Sequence, residues 1–339
     1  MRRILQTTTI LLATSLVATS AWAGSERRIG TAGAQELRIP VGTRGIALGG
    51  ATVSAQHGLE SVYYNPAGLA GGTGTEALFA NTSYLAETDV RYFGISTETG
   101  LGNIAATIKV LDLGQLEVTT EDAPEGTGEV SNINFTVFGL SMARYLTDAV
   151  SFGVTGYYIN ESIIDVSARG MAFDLGLNYD MPWRGARFGL VMKNFGPDMT
   201  FSGAGLDQSV QIPGSEPGSR PRILSTQSAG FELPSYFQIG GQIPAWESGD
   251  NQVMAYGTYL SNNFSKDEVR GGVEYAYRDV LMLRGGVDYA DQSEYLFGPT
   301  FGAGFNLPLG AANLSVDYAF QSVDSYFDDL HTFSAHFRF

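Results

Sequence analysis

Few residues in this chain are equipped for chemistry, and several of them sit near its last strand. The histidines are His57, His331 and His336. Ser334 lies two residues before His336, with Asp328 and Asp329 just upstream, so the residue types of a Ser/His/Asp hydrolase are present. A nucleophile and its base must converge from positions the fold brings together. Ser334 and His336 instead share one side of a single extended segment, where polar side chains are expected anyway. Glu117, Glu121, Asp122, Glu125 and Glu129 could hold a hard cation such as calcium, but their spacing matches no calcium loop and reads as a solvated acidic face. There is no cysteine, no Cys/His cluster with metal spacing and no Gly-rich phosphate loop. The chain is expected to be non-enzymatic, with no catalytic residue, metal or cofactor.

The elements that would carry these residues are strands. From Leu330 to Phe339 the residues alternate, with Phe333, Ala335, Phe337 and Phe339 on one side and Thr332, Ser334, His336 and Arg338 on the other. Terminal residues of soluble domains usually fray. A closing strand of an outer-membrane barrel, by contrast, needs an oily outer face. The terminal aromatics Phe337 and Phe339 also resemble the signal read by the barrel-assembly machinery. Similar segments recur. Met171, Phe173, Leu175, Leu177 and Tyr179 oppose Ala172, Asp174, Gly176 and Asn178, and Leu281, Leu283, Val287 and Tyr289 oppose Arg284 and Asp288.

Strands are predicted at 76–86, 90–98, 102–111, 132–143, 149–159, 169–179, 185–194, 235–243, 252–261, 268–277, 280–289, 296–306, 312–321 and 330–339. Their connections sort by length. One set is brief, while the other includes 112–131, 160–168 and 195–234, as in barrels with short turns at one end and long loops at the other. The short set and both chain ends are expected to face the periplasm. The fold class is all-β, a transmembrane antiparallel β-barrel of about fourteen strands with an N-terminal luminal plug, and its outer surface should contact membrane lipid. Inward charges such as Lys109, Asp174, Lys193, Glu274, Arg284 and Asp317 would suit a water-filled pore. Apolar residues on both faces near Phe135 and Leu140 would suit a greasy pocket.

Residues 1–23 read as a secretory signal peptide. Arg2 and Arg3 precede an apolar run, and Ala21-Trp22-Ala23 supplies a cleavage site. No segment has the length of apolar sequence a spanning helix needs. The formal net charge of −15 disfavours nucleic acid as a partner. Residues 24–75 do not alternate and precede the barrel, 76–339. They contain Gly49 and Gly50, suited to close approach or left-handed backbone, and Asn65-Pro66, a turn initiator followed by Ala67-Gly68. The segment's Ile, Leu, Val and Tyr content argues for packing in the lumen over a solvated tail.

Leu48-Gly49-Gly50-Ala51 followed by Tyr64-Asn65-Pro66-Ala67-Gly68-Leu69-Ala70 resembles the N-terminal signature of the PorV/PorQ family of outer-membrane proteins, which is related to FadL-type hydrocarbon and fatty-acid transporters. Further matches run in order at Thr119–Asp122, Gly153–Ile159, Phe173–Gly176 and Lys193–Gly196. The resemblance implies a plugged fourteen-stranded barrel. It also implies a non-enzymatic binding or shuttle role in type IX-like secretion, whose partners would be a translocon and secreted proteins with a C-terminal sorting domain. The alternative it leaves open is a FadL-like channel for a hydrophobic ligand, with Asn65 and Pro66 in a movable plug.

Overall fold

The computed structural model describes residues 28–117, 119, 123–128, 130–211, 214, 220–291, 295–324 and 327–339. The expected signal peptide lies outside them, as do Thr120, Glu121, Asp122 and Glu129. The strands are β1 (Thr75–Ser83), β2 (Asp89–Thr99), β3 (Gly102–Glu117), β4 (Val130–Thr147), β5 (Val150–Ile163), β6 (Val166–Asp180), β7 (Arg187–Phe195), β8 (Phe201–Ser202), β9 (Asp207–Val210), β10 (Arg222–Ser225), β11 (Tyr236–Ser248), β12 (Asn251–Asn262), β13 (Glu268–Tyr277), β14 (Leu281–Ala290), β15 (Phe297–Leu309), β16 (Ala312–Val323) and β17 (Leu330–Arg338). Strands β1 to β7 and β11 to β17 pair with their neighbours, and β1 pairs antiparallel with β17 from Glu76↔Arg338 to Ser83↔His331. The sheet is therefore a closed barrel of the expected fourteen strands, in the expected order. Phe339 extends the seam: its N–H donates to Thr75 O at 3.0 Å, and Thr75 N–H donates to Phe339 O at 2.8 Å.

Alternation sets the two faces. Phe333 and Phe337 are exposed, while Thr332, Ser334 and His336 between them are buried. Met171, Phe173 and Leu175 likewise point out, and Ala172 and Asp174 point in. Exposed Phe79, Phe93, Phe138, Leu140, Val269, Val287 and Phe301 continue this belt around the wall. Such a belt satisfies a hydrocarbon solvent, and closure leaves no backbone edge unpaired.

The connection expected to be long at 160–168 is the two-residue turn 164–165, with Ile164 at φ 51° and β5 and β6 paired as far as Ile163↔Val166. Two further details differ from the sequence reading. The strand expected to stop at Ile243 continues to Ser248, with a pairing shift between Pro244 and Trp246. Proline has no N–H to give the ladder, so it sits at an irregularity without ending the strand. Secondly, the first described residues stand at the long-loop end, away from the expected periplasmic side. Gly30 N–H donates to Phe264 O in the β12–β13 connection, and Gly33 N–H donates to Glu232 O. Residue 74, by contrast, leads into β1 at the short-turn end, so this inner segment runs the length of the lumen.

Candidate functional site

The inner segment touches the wall through its backbone. A short helix, Thr43–Ala47, ends with Gly49 and Gly50 at φ 63° and 74°. Gly50 N–H donates to Gly45 O (2.8 Å) and Gly49 N–H to Ile46 O (2.9 Å), a left-handed helix terminus that favours glycine. This terminus lies on strand glycines: a Cβ at Gly286 would strike Leu48 and Gly49 backbone, and one at Gly49 would meet Val287 N and O at 2.8 Å. Thr300 Oγ1 donates to Ala47 O at 3.0 Å beside it.

Asn65 caps the turn Pro66–Gly71. Its side-chain oxygen accepts from Ala67 N–H at 3.0 Å, and its amide donates to Val53 O at 2.8 Å. Pro66 and Ala67 lie where a Cβ on Gly153 would stand, and Gly68 N–H donates to Asn65 O at 3.0 Å. Asn103 Nδ2 donates to Leu69 O and Gly72 O at 2.8 and 2.7 Å, and Ser151 Oγ donates to Ala67 O at 3.1 Å. All six residues marked in the sequence, Gly49, Gly50, Asn65, Pro66, Ala67 and Gly68, thus lie where the inner segment meets the wall, in two separate patches.

Among the described residues the inward charges pair with one another and with the inner segment. Arg284 bridges Glu274 (2.6 Å) and Asp317, and Arg44 from the helix reaches Glu274 at 2.8 Å. Lys193, fully buried, donates to Tyr63 O, stands 3.4 Å from Asp174 and lies 3.9 Å over the Tyr63 ring. Asp174 also accepts from Asn194 N–H at 2.8 Å, where the β6–β7 register shifts. Two of the resemblance motifs, Phe173–Gly176 and Lys193–Gly196, meet here. His336 contacts Glu76 at 3.3 Å, whose carboxylate also accepts from Leu59 N–H at 2.6 Å. Ser334 accepts from Thr43 Oγ1 at 2.6 Å, and Asp329 accepts from Val323 N–H. Ser334, His336 and Asp329 therefore face separate partners and form no triad. Among the described residues no group of acids and histidines is arranged to hold a metal.

Above the inner segment, on the long-loop side, is a cavity of about 910 Å³. Its floor includes Glu36, Arg38, Gly50 and Tyr63, and its upper wall includes Tyr84, Phe135, Phe201, Phe231 and Tyr295. Tyr236, Leu260, Glu161 and Lys193 line it from the strands. The apolar residues near Phe135 do face two ways: Phe135 lines the cavity while Phe138, Leu140 and Met142 point outward. Sequence reasoning missed Glu36, Tyr63, Glu161 and Tyr236. Burial first, then the charge of Glu161, pushes the Glu36 carboxyl up to about 8. Desolvation also raises the Tyr63 phenol.

A closed, oily-belted barrel with an internal cavity belongs to the transmembrane β-barrel class. The solved structures it matches include channels and transporters. The CymD monoaromatic hydrocarbon channel aligns over 88% of this chain and 97% of its own, with 15% identity and a TM-score of 0.54. The toluene transporter TbuX of Ralstonia pickettii aligns over 88% and 98%, at 14% identity and a TM-score of 0.55. A FadL homologue of Pseudomonas aeruginosa aligns over 88% and 98%, at 11% identity and a TM-score of 0.50. At these identities the likeness is one of fold, and it bears out the fourteen-stranded barrel that the resemblance implied. The PorV/PorQ half remains with the short motifs alone. No protein-family model matches the chain, and no curated protein matches it in sequence.

Proposed function

We propose that this chain is a non-enzymatic outer-membrane channel that admits hydrophobic small molecules, with residues 28–74 as its luminal plug. The observation that carries this reading is the 910 Å³ cavity with its aromatic wall, set between the long loops and the inner segment. The proteins of like fold include a monoaromatic hydrocarbon channel and toluene transporters. Lys193, Asp174 and the Arg284 network belong to the walls, so the passage is greasy and guarded and differs from an aqueous pore. Export by residues 1–23 and insertion guided by Phe337 and Phe339 complete the reading. The secretion-shuttle role keeps only its motif resemblance and is not adopted.

The test is toluene uptake by cells that make the chain, compared with cells that make Leu260→Trp, which fills the cavity from β12. Leu260 is buried and lines the cavity. Uptake should rise with the unaltered chain and fall back with the substitution. Uptake that ignores the substitution, together with co-purifying secreted proteins, would overturn the channel reading in favour of secretion.

A further inference from the structure

The cavity distributes its hydrogen-bonding capacity unevenly. Its cations are already engaged among the described residues. Arg38 pairs with Glu268 at 3.0 Å, Arg270 pairs with Glu268 and with Asp288 at 3.1 Å, and Lys193 holds Tyr63 O and Asp174. Its acceptors are not matched in the same way. Glu36 is 2% exposed, yet neither carboxylate oxygen receives a hydrogen bond, and Asp288 Oδ1 is likewise buried without a donor.

The group beside Glu36 is a second buried carboxyl, Glu161 of β5. Two adjacent carboxyls can bond only by sharing a proton, and that arrangement still leaves acceptor lone pairs beside the cavity. A buried acceptor without a donor costs free energy that a bound donor recovers. Among the described residues each cation that lines the cavity already faces a carboxylate, and Lys109, whose charge reaches Glu36 from behind the cavity, donates to Ile39 O at 3.2 Å.

We infer that the cavity takes a hydrophobic molecule bearing a hydrogen-bond donor, of the phenol, alcohol or amine kind, with the donor on the Glu36–Glu161 pair and the hydrocarbon against Tyr63, Phe231 and Tyr236. A free carboxylate meets two acids there and is rejected. This inference rests on the channel reading and narrows its substrate class.

The test is calorimetric binding to the purified full chain in non-ionic detergent at neutral pH, using toluene, 4-methylphenol and 4-methylbenzoate. These three share a skeleton and differ in one group. 4-Methylphenol should bind about tenfold more tightly than toluene, the scale of one hydrogen bond to a charged or proton-sharing acceptor. 4-Methylbenzoate should bind most weakly. In Glu36→Leu and in Glu161→Gln the phenol-to-toluene ratio should fall towards one. Equal affinity for toluene and 4-methylphenol in the unaltered chain would overturn the inference, and so would a ratio that survives both substitutions. If Glu36→Leu loses its heat-modifiable gel migration, and so its fold, the three-probe series and Glu161→Gln still decide. If none of the probes binds, the channel reading falls and this inference with it. Toluene binding without preference removes the inference alone.

Discussion

The two ends of the lumen are built differently. At the short-turn end the inner segment is closely fitted: Asn103, Ser151 and Glu76 each bond its backbone, and Pro66 and Ala67 press against Gly153. At the long-loop end Ala34 and Leu37 pack on β4, β5 and β6, but the segment's other side faces about 910 Å³ of space, and Glu36 is left without a donor. A segment packed on all sides at one end and open on one side at the other is a floor beneath a vestibule. The contrast shows where stability and selectivity are separately stored. Substitutions at the floor should cost folding free energy, and those in the vestibule should change what is bound.

The largest effect is expected midway, where the wall fixes the helix. Arg284→Ala strips Glu274 and Asp317 of their shared cation and should destabilise the barrel by about 3–5 kcal/mol. The readout is a lower temperature for loss of heat-modifiable gel migration. Gly153→Ala places a methyl on the Pro66–Ala67 backbone and should cost about 1–3 kcal/mol in the same assay. Gly257→Ala is its control and should be close to neutral, because no atom lies within 4 Å of the added Cβ. Asn65→Ala, which removes the cap, should cost about 1 kcal/mol. Leu85→Ala, on the half-buried rim of the vestibule, should change stability by less than about 0.5 kcal/mol. Equal losses for these last two would erase the distinction between the ends.

Dependence on pH separates the two ends in another way, because their limbs run in opposite directions. Glu36 binds its proton more tightly folded than unfolded, with its pKa raised from 4.5 to about 8 by burial and Glu161, against the pull of Lys109. Its contribution is present below about pH 4.5 and is lost as pH rises towards 8. At the floor, desolvation and the adjacent Arg187 push His57 from 6.5 down to about 4, so stability there falls as pH drops from 6.5 towards 4. His57 keeps an edge in solvent, which makes its limb the shallower one. Melting curves of Glu36→Gln and His57→Gln across pH 4 to 8 should each flatten one limb. A single variant that flattened both would show that the ends do not titrate separately.

The barrel was legible because alternation is local: each strand announces its two faces within ten residues, and Gly and Asn mark its ends. Gly49 and Asn65 were legible for a similar reason, since a left-handed helix terminus and an Asn-Pro turn are written in consecutive residues. Glu36 was not. It sits in a segment without periodicity, between Gln35 and Leu37, and its partner Glu161 lies on a strand far along the chain. What makes it unusual is the absence of a donor across the lumen, a property of packing that no local pattern encodes. The inward charges were seen, but their partners were not: a strand shows that Arg284 and Asp174 point in, and says nothing about whether water or another side chain meets them.

The seam between β1 and β17 has a consequence for biogenesis. Until those two strands zip together the wall is an open sheet, and afterwards it is a cylinder whose filling is bonded to β3, β5 and β15 around its circumference. A segment so anchored touches strands spread around the circumference, so seating it and closing the wall are coupled events. Each bond from the segment to β3, β5 and β15 helps hold the cylinder shut, so the filling braces the seam.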